Sequence, residues 1–381
     1  MVVAGLVAVA TACGGGTEVT LVVQPAPVPA TPETSDSVQD STPSSEPTVE
    51  AASTGPPSTP VGSDAPADPT AQPPADASPD AVTVDLPENI GDLLAQEFEH
   101  LAEVSATWNP DAHVSMAVML PDGSQYGYRA DASMISASAV KPLWVAAALD
   151  RAGVGAVTPF ARDALVLSDN NAAGRVIDLA GGVDAVNTWT WETAGLSDTR
   201  LEAWRFEDPS RVAEDFRPQA PLGNRTTTTD LARFYARLRQ GELLATDQAE
   251  ILEEWLRDTS RALISPLDLD GALLDRLPAA VADSAWHKAG WLQPFCCAQD
   301  YRQVIDAGLA ALPEGGWMAL AVATAHGEHY DLSLRWTALA ACRIYARVAD
   351  DAGLVCERDD DGVHNPDLWA APPSASPTPD G

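Results

Sequence analysis

The sequence predicts an α+β fold, with an antiparallel sheet flanked by the two terminal helices and an all-helical subdomain inserted between its strands. Three observations point to it. An amphipathic segment opens the part of the chain that is able to fold, and a second closes it. Runs of strand character lie just inside each, and a long helical stretch fills the middle.

In the first segment Ile90, Leu93, Leu94, Phe98 and Leu101 recur at helical spacing. "HVSMAVMLPDGSQYGYRA" then alternates around Pro121-Asp122-Gly123, which signals a hairpin. Ser136 to Ser138 are good helix-starting residues, and Pro142 is tolerated only near a helix start. "AVKPLWVAAALDRAG" therefore reads as a buried helix that starts close to Ser138 and is closed by Gly153. Helical stretches follow around Val157–Leu167, Ala172–Leu179, Val183–Ala194, Thr228–Leu238 and Asp247–Leu256. "AWHKAGWL" and "GGWMALAVATA" read as strands, and "LSLRWTALAACRIYARVA" as the last helix. "HGEH", His326 to His329, reads as a polar turn, so neither a metal nor any other cofactor is expected.

Composition sets the boundaries. A net charge of −33 excludes nucleic acid as a partner, because too little positive charge is present to neutralise phosphates. Residues 14–90 are rich in Pro, Ser, Thr, Ala, Asp and Gly and carry 12 acidic residues and no Lys or Arg. Such a segment cannot bury enough apolar surface to offset its ordering entropy, so it is expected to be a disordered linker. Residues 91–366 form the expected globular domain, and residues 367–381 a disordered tail. "MVVAGLVAVATA" before Cys13 resembles the end of a bacterial lipoprotein signal, in which that cysteine is lipidated. The expectation is an extracytoplasmic monomer held at the membrane through a lipid anchor, with the linker as its spacer. Outside the cytoplasm, Cys296, Cys297, Cys342 and Cys356 can form two bridges in three connectivities. Adjacent cysteines hardly pair with each other, so Cys296 and Cys297 are expected to bridge to Cys342 and Cys356.

The chain holds 20 arginines but only two lysines, Lys141 and Lys288. Arginine already serves as the surface cation, so a retained lysine suggests a need to lose a proton near neutral pH, which a guanidinium does not do. Ser138 and Lys141 are one helical turn apart and share a face. A hydroxyl is a poor nucleophile until a base takes its proton, and a lysine beside a second cation can be that base. Farther on, Ser168-Asp169-Asn170 precedes a helix, and "HKAG" places Lys288 and Gly290 on an edge strand.

Ser-x-x-Lys, Ser-Asp-Asn and Lys-x-Gly in that order resemble the signature of class A β-lactamases and penicillin-binding proteins. "SDNNAAGRVIDLAGGVDAVNTW", "GLSDTRL" and "NRTTTTDLARFYARL" resemble class A segments too, so the likeness spans about residues 90–350. The resemblance implies the β-lactamase/transpeptidase-like form of the fold and a role for each residue. Ser138 becomes the acyl-forming nucleophile, Lys141 its base or proton relay, and Ser168 the proton shuttle to the leaving nitrogen. Asn170 binds the substrate's side-chain amide, Lys288 supplies positive potential, and Gly290 lets substrate lie against the strand. The N–H groups of Ser138 and Trp291 form the oxyanion hole.

Two departures stand out. Ala289 replaces the Thr or Ser between Lys and Gly, which removes a hydroxyl for the substrate carboxylate. The loop "EAWRFEDPSRVAEDFRPQAPLGN" lacks the Glu-x-x-x-Asn that activates the deacylating water; Glu207 lies nearest, with Asp208 beside it. The expected activity is a serine hydrolase on β-lactams or peptidoglycan-stem-like amides, slow in deacylation. Its rivals are a D-alanyl-D-alanine carboxypeptidase and a degenerate cell-wall-binding lipoprotein.

Overall fold

The opening helix α1 (Ile90–Trp108) buries Ile90, Leu94, Phe98 and Leu101, the stripe expected from its spacing. It belongs to a computed structural model that describes residues 86–202, 224–259, 273–292 and 302–364. The chain then enters the predicted hairpin, β1 (His113–Met119) and β2 (Gln125–Tyr128). Short β3 (Met134–Ile135) leads through a 3-10 turn, Ala137–Val140, into α2 (Lys141–Ala152). Pro142 sits in the first turn of α2, where its missing N–H costs nothing. The helical middle comprises α3 (Val154–Leu165), α4 (Asn170–Leu179) and α5 (Val183–Thr188), followed by a π turn over Trp189–Thr193. Next come β4 (Arg225–Thr226), α6 (Thr228–Arg239), α7 (Thr246–Thr259) and α8 (Ala279–Ala282). The last elements are β5 (Trp286–Leu292), β6 (Gln303–Ala311), β7 (Trp317–Ala325) and α9 (Tyr330–Val348).

Five strands form one antiparallel sheet in the order β2-β1-β7-β6-β5, so β5 is an edge. β7 shows how the sheet builds two cores at once. Met318, Leu320 and Val322 face α1 and α9, whereas Ala319, Ala321 and Ala323 face the helical subdomain. The small side lets Phe234 and Tyr235 of α6 pack close to the strands, and both faces are apolar because both are covered. In α2 the residues from Lys141 to Leu149 are all buried, which makes it the centre of the helical subdomain.

Two expectations need correction. β6 was not anticipated from the sequence, because Asp306 and Gly308 interrupt its apolar pattern; Asp306 is accommodated by partners described below. The disulfide joins Cys342 to Cys356, not either of them to Cys296 or Cys297. After α9, Asp350 takes a left-handed φ of +51° and the chain doubles back. This carries Cys356 to a Cα–Cα distance of 5.6 Å from Cys342, within bridging range. Cys296 and Cys297 lie outside the described residues, as do Cys13, the linker up to residue 85, the tail, Glu207 and Asp208. Among the described residues no helix is long and apolar enough to cross a membrane.

Candidate active site

The turn that carries Ser138 is tied down on both sides. β3 pairs with β4, and the Ser136 N–H donates to the Asn224 carbonyl at 2.7 Å. From β6, the side-chain amide of Gln303 donates to the Ile135 carbonyl. Between these anchors Ala137 takes a φ of +45°, a left-handed conformation unfavourable for an alanine. Helical geometry begins as a 3-10 turn at Ala137 and continues as α2 from Lys141, so Ser138 and Lys141 lie one turn apart as expected.

Lys141 is 2% exposed, and all its named acceptors are neutral. Its Nζ donates to the Ser168 carbonyl at 2.5 Å, to Asn170 Oδ1 at 2.9 Å and to Ser168 Oγ at 3.2 Å. Burial pushes the ammonium's pKa down, the Lys288 charge lowers it further and Asp169 partly counters both, leaving it at about 7 against an ordinary 10.5. Near neutrality about half of Lys141 is therefore the free amine. Three N–H bonds match three acceptors in the charged form. In the neutral form only two N–H bonds remain, and the lone pair can accept the Ser168 hydroxyl, its longest partner. Ser168 itself has a φ of +54°, while Asp169 caps α4 by accepting the Ala172 N–H at 2.6 Å. The cap fixes the first residue of that helix, Asn170, against Lys141.

The third segment is the edge strand. Lys288 is 1% exposed; its Nζ donates to the Ala289 carbonyl at 2.8 Å and lies 5.9 Å from the centre of the Trp291 ring. Gly290 is pressed against the nucleophile turn. A Cβ there would lie 2.7 Å from the Ser138 nitrogen and 2.5 Å from the Ala139 nitrogen, both backbone atoms that cannot yield. The edge strand and the serine turn thus touch along their main chains, with the Trp291 peptide directly after the contact. Ala289 pairs with Asp306, so strand alternation assigns its methyl to the sheet face opposite Lys288 and Gly290.

Residues from three distant segments, Ser138 and Lys141, Ser168 and Asn170, and Lys288 with Gly290, therefore line one site. Glu207 falls outside the described residues. Sequence reasoning missed Gln303, whose tether has no local signature, and the pairing of His287 with Asp306. Only the position of His287 beside Lys288 could have drawn attention to it.

Residues 157–348, half of the chain, match the model of the beta-lactamase enzyme family. The chain belongs to that family. Solved structures agree on the β-lactamase/transpeptidase-like fold. A variant of the class A β-lactamase of the last common ancestor of Gram-negative bacteria aligns with TM-score 0.53 at 22% identity, over 66% of this chain and 97% of that one. A class A β-lactamase from Bacteroides cellulosilyticus gives 0.54 at 18%, over 67% and 98%. A point mutant of PBP-A, in an acyl-enzyme complex with penicillin G, gives 0.51 at 20%, over 66% and 96%. No curated protein matches the chain.

Proposed function

We propose that this member of the family is a serine hydrolase that forms an acyl-enzyme on Ser138 from a β-lactam or a related amide and releases it slowly. The observation that carries the reading is the buried Lys141 side chain, one turn from Ser138 and bonded to Ser168 and Asn170, where burial and the Lys288 charge bring its pKa down to about 7. In the first step the Lys141 lone pair takes the Ser138 proton as Oγ attacks the carbonyl carbon. The developing oxyanion lies against the N–H groups of Ser138 and Trp291. When the tetrahedral intermediate collapses, the C–N bond breaks and the leaving nitrogen takes the proton back through the Ser168 hydroxyl. Lys288 holds positive potential where a substrate carboxylate docks, Asn170 offers its amide to the substrate side chain, and Gly290 leaves room against the strand.

Slow release follows from the sequence of the loop after Leu201, which lacks the Glu-x-x-x-Asn pattern and has Glu207, with Asp208 beside it, nearest to its place. The acyl-enzyme complex of the PBP-A point mutant with penicillin G supports an acyl-enzyme here, and with it the carboxypeptidase alternative. Intact-protein mass spectrometry with penicillin G, combined with nitrocefin turnover, tests the proposal. The expected result is an adduct mapped to Ser138 that persists far longer than it takes to form. Rapid turnover without an accumulating adduct contradicts slow release, and no adduct with any lactam or depsipeptide contradicts the hydrolase. The sequence before the domain supports a further part of the reading, in which Cys13 carries a lipid that tethers the enzyme outside the cytoplasm. Metabolic labelling with a fatty-acid analogue in a bacterial host, lost in Cys13→Ala, tests that part.

A further inference from the structure

The residue before Lys288 on β5 is His287, and strand alternation sends its side chain to the opposite face, away from the two lysines. His287 is 2% exposed and Asp306 is fully buried. The imidazole Nδ1 lies 3.0 and 3.1 Å from the two Asp306 carboxylate oxygens, and the Leu273 N–H donates to the second of them at 3.0 Å. The His287 carbonyl is held too, accepting the Thr259 hydroxyl at the end of α7 at 2.5 Å. Opposite His287 stands Gly308, where a Cβ would lie 2.2 Å from the Trp286 carbonyl oxygen and 2.6 Å from His287 Cβ. Room for the histidine is thus made at the expense of a side chain on β6.

A buried carboxylate with an imidazole partner is a costly way to fill space that two apolar side chains could fill. Across the sheet, the buried Tyr235 hydroxyl is pushed well up by burial and then by the Asp306 charge. Neither side chain of the pair lies on the sheet face that carries Lys288 and Gly290. His287 is nevertheless one peptide from Lys288, and Gly290, two residues beyond that, abuts the Ser138 nitrogen. Any shift of β5 therefore moves Lys288 relative to Lys141 and opens the contact at Ser138.

We propose that His287 and Asp306 form a positioning pair that locks the edge strand, so that Lys288 and Gly290 are held against Ser138 and Lys141. The inference takes its catalytic meaning from the hydrolase reading, but its test does not depend on that reading. Because the chain holds only two lysines, the full chain labelled with [ε-13C]lysine gives one signal for each, and both can be titrated directly by NMR. Replacing the pair together, His287→Leu/Asp306→Leu, removes both side-chain polar groups without stranding either one, and leaves only the Leu273 N–H without its acceptor.

In that variant the low midpoint of Lys141 is expected to rise by about half a pH unit or more as Lys288 loosens. Acylation by penicillin G is expected to fall about tenfold or more, with an unchanged circular dichroism spectrum. His287→Asn places an amide donor where Nδ1 stands and is expected to recover most of both. A folded double variant with wild-type lysine titrations and wild-type acylation overturns the proposal. If the double variant does not fold, Asp306→Asn, which keeps the shape of the side chain, is read by the same two measurements and decides it in the same way. If the wild-type protein forms no adduct, the hydrolase reading falls, while the lysine titrations still decide whether the pair positions the strand.

Discussion

The cleft and the rear of the molecule treat buried charge in opposite ways. At the rear, Glu97 of α1 is buried between Arg343 and Arg347 of α9, and Arg343 also pairs with Glu357. Burial alone would raise the Glu97 carboxyl, but the two guanidinium groups outweigh it and hold the pKa below its usual value. Arg276 and Asp361 are likewise joined by two hydrogen bonds, at 2.8 and 2.5 Å. In the cleft, two ammonium groups are buried near each other and the acceptors of Lys141 are neutral. Opposite charges at the rear hold α1, α9 and the returning C-terminal segment together. Burial at the front, with the like charge of Lys288 added to it, disfavours the Lys141 ammonium, and the result is an amine able to give up its proton near neutral pH. The front thus buries ammonium at some cost in stability, whereas the rear pairs its buried charges.

The largest break in that contrast comes from Ser138→Ala. Without the nucleophile, adduct formation with penicillin G is expected to drop by about three orders of magnitude or more. The midpoint of thermal unfolding should stay near that of the wild type, because the lysines and their acceptors remain. Mass spectrometry and a melting curve on the same sample check both halves. An adduct that survives the substitution moves the nucleophile elsewhere.

Gly290→Ala sharpens the picture of the front as a contact between two main chains. Its Cβ meets backbone nitrogens at 2.5 and 2.7 Å, so β5 has to withdraw. A displacement of this kind costs about a hundredfold in a reaction that depends on aligned donors. Stopped-flow acylation is the measurement; wild-type rates would mean that the edge strand is not part of the oxyanion wall.

Both variants are at positions that the sequence pattern singled out and the fold brings together. The serine, both lysines and Gly290 were legible because each belongs to a short pattern whose spacing has a chemical reason. The terminal helices and the hairpin were legible because apolar periodicity survives in them without interruption. β6 was not, since Asp306 reads as a break until its partners His287 and Leu273, distant in sequence, are brought to it. The disulfide was misassigned for a related reason. Its pairing depends on how the chain turns after α9, and Asp350 in a left-handed conformation is not a residue pattern that announces a return. The strain at Ala137 and the tether from Gln303 were invisible too, because both are products of tertiary packing.

At the rear, Cys342→Ala/Cys356→Ala should lower stability without touching the cleft. The bridge closes a segment with a sequence separation of 14, for which the chain-entropy estimate is about 3 kcal/mol. Urea unfolding of the oxidised protein and the double variant measures the loss. Acylation rates are expected to agree within about twofold, since front and rear face opposite sides of the sheet. A matching loss of acylation would show that the returning segment supports the cleft.

The smallest effect tests the stability cost of the front directly. Lys141 has its pKa lowered to about 7 in the folded chain, against 10.5 when solvated. Below pH 7 both states bind the proton, and the folded state carries the full cost of a buried ammonium. As pH rises from 7 toward 10.5, the folded state releases its proton while the unfolded state keeps it, so stability increases. The gain attributable to this group is about 1 kcal/mol between pH 7 and pH 8. Lys141→Met keeps the chain length of the stem and removes the titration, so this contribution to the slope should vanish and the variant should be more stable than the wild type at pH 6. Urea midpoints at pH 6, 7 and 8 for both proteins give the comparison. Parallel pH profiles would show that the buried amine keeps its ordinary proton affinity, and the base assigned to Ser138 would have to be another group.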